Sequence, residues 1–324
     1  MAARLYPAPA RHPELVDLRR ISARDLEALL EEECAAWRNE LEWDFEKSAD
    51  LVRRFVDMNA LNGSALFVDN EIAGYMYYVL EEDKGLIGDL YVCRAQRTAE
   101  HENLLLGAAL DAIMRSPGVN RIESQLMMVA HDPFRSVPQA ESLSIFPRNF
   151  MRIDLRRAVL GEGHIRRAMY IEKWSDHYHD AAAQLIATAY AGHIDSRIND
   201  QYRSPAGARR FLHNIVQYPG CGAFYRPASF IAFEGLTGRL CGVSLASLVT
   251  PETGHVTQIC VSPEVRGTGI GHELLRQSLT TLRNMGCNSA SLTVTSANED
   301  AVSLYERVGF ETIRQFSAYV WEGF

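Results

Sequence analysis

Residues Val261–Gly271 read V-S-P-E-V-R-G-T-G-I-G, and no other stretch constrains the fold as much. Apolar residues of strand type precede it (Val256, Ile259, Val261), and helix-period apolar residues follow (Ile270, Leu274, Leu275, Leu279, Leu282). A strand therefore passes to a helix through a loop with glycine at every second position. Several backbone N–H groups of such a loop point at one spot, at the positive end of the helix dipole. That spot suits a phosphate or a diphosphate.

The chain has 324 residues, enough for two domains rather than one ordinary core. Hydrophobic residues make up 47% and charged residues 23%, as expected of a soluble globular protein. A formal charge of −8 argues against nucleic acid or an anionic membrane as the main partner, so an anionic ligand has to be held locally. The start, M-A-A-R-L-Y-P-A-P-A-R-H-P, has no secretory pattern, and no apolar run reaches membrane-spanning length. Cys34, Cys93, Cys221, Cys241, Cys260 and Cys287 form no C-x-x-C pair and read as reduced, which implies a cytoplasmic setting. The tract D-H-Y-H-D at 176–180 opens a helix, where His177 and His179 fall on different faces, so no metal is expected.

The second half reads strand (Met169–Lys173), helix (Asp180–Tyr190), helix (Pro205–Gln217), then strands at Ser229–Phe233, Leu240–Leu248 and His255–Val261. A helix (Gly269–Asn284), a strand (Ser289–Thr295), a helix (Ala301–Val308) and a last strand pair to Trp321 follow. The first half repeats that order. Setting Val92 against Val261 aligns the two strand ends, Arg97 with Arg266, and both following helices. The expected fold class is α/β, an α+β mixed sheet in two tandem copies, each mostly antiparallel and flanked by helices. The expected domains are 1–158 and 168–324, joined by a charged, glycine-containing linker at 159–167. Opposite Gly267, Gly269 and Gly271 stand Thr98, Glu100 and Glu102, whose side chains and charge would exclude a diphosphate. The first copy is expected to bind no such ligand.

These residues resemble a known superfamily. Arg266-Gly-Thr-Gly-Ile-Gly271 matches the R/Q-x-x-G-x-G/A loop of the GCN5-related N-acetyltransferases (GNAT), and N-E-D-A-V-S-L-Y-E-R-V-G-F at 298–310 is similar to their second signature. The motifs cover the second copy, and the first resembles the superfamily by topology alone. The resemblance implies an acetyl-CoA-dependent N-acetyltransferase acting on a primary amine of a small molecule or peptide by direct attack in a ternary complex. Acetyl-CoA is then a co-substrate, with its diphosphate on Arg266, Gly267, Thr268, Gly269, Ile270 and Gly271. Its pantetheine arm runs beside Ile259 and Val261, with Asn298 and Tyr305 near by. Ile259 N–H would polarise the thioester carbonyl, and Tyr305 would protonate the departing thiolate. Packing in the core is the bland reading of Tyr305.

His255 stands where some relatives carry a glutamate base; it serves either as that base or as a strand-end histidine in T-G-H. Thr293, where other relatives carry a glutamate, cannot serve, and Glu252, Asp195 or a water chain are further options. Acceptor recognition would fall to His193–Tyr202 and Phe316–Trp321. A Rossmann site is disfavoured, because the spacing is G-x-G-x-G and strand Leu292–Thr295 has no acid; a P-loop lacks its G-K-[ST]. A non-catalytic acyl-CoA sensor or pseudoenzyme is the alternative function. No nucleic-acid or membrane partner is implied, and the oligomeric state is open.

Overall fold

Thirteen strands and eight helices build the computed structural model, which describes residues 12–163, 165–218 and 220–324. They divide into two compact units. The first holds the described residues up to Ala35, Ala49–Ser144 and Trp321–Phe324; the second holds Ala36–Ser48 and Ile145–Val320.

In the first unit the elements are β1 (Glu14–Asp17), α1 (Ala23–Leu41, whose end counts with the second unit), α2 (Glu46–Asp57), β2 (Asn62–Val68), β3 (Glu71–Glu81), β4 (Lys84–Val92), α3 (Ala99–Met114) and β5 (Arg121–Ala130). The sheet order is β1-β2-β3-β4-β5; all neighbours are antiparallel except β4 and β5. Asp69 and Asn70 turn the β2–β3 hairpin at φ of 52° and 69°, the left-handed pair that matches strand twist.

The second unit contains β6 (Leu143–Asp154), β7 (Met169–Lys173), α4 (His179–Ala189), α5 (Asp195–Ile198), α6 (Pro205–Gln217), β8 (Ala223–Phe224), β9 (Phe230–Glu234), β10 (Leu240–Thr250), β11 (Thr253–Val261), α7 (Ile270–Asn284), β12 (Ser289–Thr295), α8 (Glu299–Val308) and β13 (Glu311–Glu322). Its sheet runs β13-β6-β12-β11-β10-β9-β7, with β8 on β10. The apolar stripe of α7 becomes core: Leu274, Leu275, Leu279 and Leu282 are fully buried, each stabilising by about 2 kcal/mol. A Cβ at Gly254 would lie 2.5 Å from Leu282 Cδ1, so the missing side chain is what lets the helix lie on β11.

Three features differ from the sequence expectation. The end of the chain is one long strand, β13, not a strand pair. Helix α2 was not foreseen. Strand β6 also went unforeseen, because Pro147 interrupts its alternation and removes an amide donor. Its residues Arg148–Asp154 pair with all of β12, from Ser289↔Asp154 to Thr295↔Arg148, so residues before the expected linker complete the second sheet. The linker, 159–167, lies within the span of the second unit. Arg166 N–H donates to Thr268 O at 3.0 Å. His164 in that linker and the N-terminal stretch Met1–Arg11 lie outside the described residues. Among the described residues no helix is long and apolar enough to cross a membrane.

Candidate acyl-transfer site

Strands β11 and β12 begin as parallel partners and then part. Their pairing runs from Thr253↔Ser289 to Val256↔Leu292 and stops there. At the same level a register shift between Leu245 and Ala246 leaves Thr257 as an extra residue in β11, a bulge that bends the strand away. Beyond it β11 keeps β10 on one side only, with Ser244↔Ile259 and Gly242↔Val261 in register. Among the described residues the other edge of Ile259 to Val261 has no strand partner, and these residues are half-buried. An extended, amide-bearing ligand can add to such an edge.

The glycine loop closes the far end of that edge. Gly267 and Gly269 take φ of 73° and 90°, where a side chain is strained. Glycine at 269 is therefore needed by the backbone itself, so a substitution there disturbs the loop as well as any ligand. Gly271 differs: it lies inside α7, and an added Cβ would meet only Val261 Cγ1 at 3.8 Å. The described residues around position 271 give no steric reason for glycine there. Among the described residues the amides of Gly267, Gly269, Ile270 and Gly271 have no backbone acceptor, and Gly269 supplies no side-chain cap. Thr268 Oγ1 turns inward to Val265 O at 2.6 Å. Arg266 Nη2 ties the loop to Ala189 O, at the end of α4, at 2.6 Å.

The corresponding start of α3 in the first unit is built otherwise. Without glycines the helix begins two aligned positions earlier, and Thr98 Oγ1 accepts from His101 N–H at 3.2 Å. Glu100 and Glu102 occupy the first turn, and Glu102 pairs with Arg135. Its amides are capped from within, and its charge is already negative.

Asn298 caps α8, accepting from Ala301 N–H at 3.4 Å. On that helix Tyr305 is 7% exposed, and its hydroxyl has no hydrogen-bond partner among the described residues. Burial, then the negative charge of Asp195, push its acidity well below that of a free phenol, so it stays protonated. Asp195, at the start of α5, accepts from Thr295 Oγ1 and lies 3.7 Å from His193 Nδ1. Thus Asp195, in the segment expected to recognise the acceptor, comes to the Tyr305 end of the splay.

His255 does not. It is 4% exposed, with Nδ1 2.9 Å from Ser291 Oγ and its ring 4.9 Å from Trp43 and 6.3 Å from Phe150. Burial lowers its pKa to about 3, because no nearby anion offsets the loss of water around a cation. Such a ring is a poor proton acceptor at neutral pH, which favours the strand-end reading of His255 over the base. It sits in the paired part of β11, before the splay. Glu252 lies at the same remote end, accepting from Asn288 Nδ2 at 2.8 Å. Segment Phe316–Trp321 is buried throughout, so it packs rather than presenting side chains to an acceptor.

Two groups at the splay had no sequence signal that singled them out. Gln258 bridges two stacked rings: its Nε2 donates to Tyr190 OH at 2.9 Å, and Tyr202 OH donates to its Oε1 at 3.3 Å. Arg148, from β6, reaches Thr293 and Thr295 of β12.

Residues 196–310 match the profile described as Acetyltransferase (GNAT) family. The chain carries a GNAT domain. The mycothiol acetyltransferase of Propionibacterium freudenreichii subsp. shermanii is 29% identical over 155 residues, covering 47% of this chain and 46% of the relative. That of Thermobispora bispora is 46% identical over 57 residues, 18% of this chain and 19% of the relative. The chain thus spans less than half the length of the curated relatives it matches. Two solved structures share the architecture almost end to end, at an identity that shows fold alone. A tandem GNAT protein from the clavulanic acid biosynthesis pathway has a TM-score of 0.64 and 17% identity, covering 96% of this chain and 98% of the other. The GCN5-related N-acetyltransferase from Sphaerobacter thermophilus has a TM-score of 0.67 and 17% identity, covering 95% of each. The GNAT domain lies within the second unit, where the glycine loop, the splay and Tyr305 are found.

Proposed function

We propose that the chain is an acetyl-CoA-dependent N-acetyltransferase whose acceptor is a primary amine of a small molecule or peptide. One observation carries this reading: the splay of β11 from β12 joins an uncapped glycine loop to the unpartnered Tyr305 hydroxyl. Relatives named mycothiol acetyltransferase favour a small-molecule acceptor. Among the described residues no cysteine forms a disulfide, in keeping with a reducing, cytoplasmic setting.

In this reading the amides of Gly267–Gly271 hold the diphosphate, and the open edge at Ile259–Val261 holds the pantetheine arm. When bound, the thioester supplies the acetyl group and a thiolate leaving group. Ile259 N–H donates to the carbonyl oxygen as it gains charge. Asp195 attracts the acceptor's ammonium and, with water, relieves it of a proton, in place of His255. Tyr305 then passes its proton to the sulfur. The first unit binds no coenzyme, because the N-terminus of α3 is capped by Thr98 and carries two carboxylates.

Calorimetry with acetyl-CoA on the wild type and Gly271→Glu tests this. The variant keeps its fold and loses binding by at least about tenfold, since a carboxylate then faces the diphosphate. Equal affinity in both proteins would remove the loop from the site.

A further inference from the structure

The splay holds a positive charge, Arg148, that makes no direct ion pair among the described residues. Arg148 stands opposite Thr295 in the β6–β12 register. Its Nη1 donates to Thr295 Oγ1 at 3.5 Å and its Nη2 to Thr293 Oγ1 at 3.3 Å, both long bonds to neutral groups. Its Nε is buried with no partner, and it makes no ion pair among the described residues. A guanidinium has five donors and does not deprotonate, so a half-buried one with unmade bonds is costly. Carboxylates and phosphates are the groups that complete its fork.

Asp195 lies on the other side of Thr295, whose hydroxyl donates to it. A cation and an anion therefore flank one hydroxyl, and both charges reach Tyr305. The coenzyme cannot supply the anion at Arg148. Its phosphates lie at the nucleotide end, by the glycine loop, while the pantetheine arm and acetyl group are neutral. An anion here must come from the acceptor.

We propose that the acceptor is an amine that also carries an anionic oxygen group, a carboxylate or a phosphate. Its ammonium faces Asp195 and its anion faces Arg148. This rests on the acetyltransferase reading above. Residues at this end of the splay then select the acceptor by charge at both ends, and amines without an anion leave the guanidinium unsatisfied.

The test compares matched amines in a thiol-release assay with acetyl-CoA: α-amino acids against their amides, and phosphoethanolamine against ethanolamine. The wild type should turn over at least one anionic member with a KM about tenfold below that of its neutral partner. The matched pair that shows the preference tells carboxylate from phosphate. Arg148→Gln should raise that KM about tenfold with little change in kcat, and leave the neutral amine unaffected; Arg148→Lys should restore part of the loss. Calorimetry with acetyl-CoA on each variant reports an intact site and fold. Four outcomes overturn the proposal: no preference for the anionic member, an equal fall in kcat for both amines in Arg148→Gln, loss of coenzyme binding in both Arg148 variants, or no acetylation of any anionic amine by protein that binds acetyl-CoA. Absence of acetyl-CoA binding in the wild type would instead overturn the reading beneath it.

Discussion

Replacing His255 with glutamine separates a buried structural histidine from a catalytic base. The folded-state pKa is about 3, against 6.5 for the free group. For a base with a depressed pKa, the unfolded chain takes up the proton first as pH falls. The stability held above pH 6.5 is therefore lost as pH falls from 6.5 towards 3. At about pH 5 the unfolded histidine is protonated by about 1.5 units while the folded one is neutral, which amounts to about 2 kcal/mol. Glutamine cannot titrate. It also loses ring contact with Trp43 and Phe150, which lowers stability at pH 7.5 by about 1–3 kcal/mol. The wild type's advantage over His255→Gln should then shrink by about 2 kcal/mol between about pH 7.5 and pH 5, as groups common to both proteins cancel. Urea unfolding followed by circular dichroism at the two pH values measures it. An advantage that does not change with pH would refute the buried-neutral assignment. So would a wild-type kcat/KM profile with an acid limb near pH 6.5 that vanishes in the variant.

Three other outcomes follow from the same geometry. Tyr305→Phe keeps acetyl-CoA affinity but lowers kcat by about 10²–10⁴, read by thiol release, since the hydroxyl donates only as the thiolate leaves. Gly269→Ala lowers unfolding free energy by about 1 kcal/mol or more, because its φ of 90° strains any side chain, whereas Gly271→Ala, with free space at its Cβ, should leave stability near wild type. Asp89 in the first unit hydrogen-bonds Glu33 and is raised to about 6 by burial, so its contribution to stability is lost as pH rises from 3.8 through 6. Asp89→Asn should accordingly gain relative stability between about pH 4 and pH 7, by up to about 3 kcal/mol, in the same urea series.

What was legible in the sequence is what local pattern encodes. Strand-to-helix handover at the glycine loop, the bounds of β7, α6 and β12, and the repeat seen by aligning Val92 with Val261 all follow from periodicity and turn residues. His255 was ambiguous because strand alternation tells which residues share a face, not which face is covered. Its burial depends on Trp43 and Phe150, which are distant in sequence. Arg148 left no signal for a similar reason. It sits in a strand broken by Pro147 and gains its meaning only when β6 lies beside β12, well over a hundred residues later.

Under the proposed reading, the two copies differ at few positions around the anion site. Both keep a parallel strand pair that parts: β4 and β5 pair only from Lys84↔Arg121 to Ile87↔Ser124, as β11 and β12 pair only as far as Val256↔Leu292. What differs is where the next helix starts. Glycines at 267 and 269 hold the backbone at positive φ and delay α7 until Ile270, leaving amides open. Thr98 and Glu100 at the aligned positions favour the right-handed helix instead. So α3 grows backwards over the loop and fills its own cap. Asp89 aligns with Gln258, and a buried carboxyl hydrogen-bonded to Glu33 takes the place of a neutral amide that bridges two tyrosines. Putting glycine at 98 and 100 would shorten α3 but leave Glu102 and that carboxyl pair in place. Under the proposed reading, giving the first unit a coenzyme site would therefore require removing charge as well as freeing the backbone.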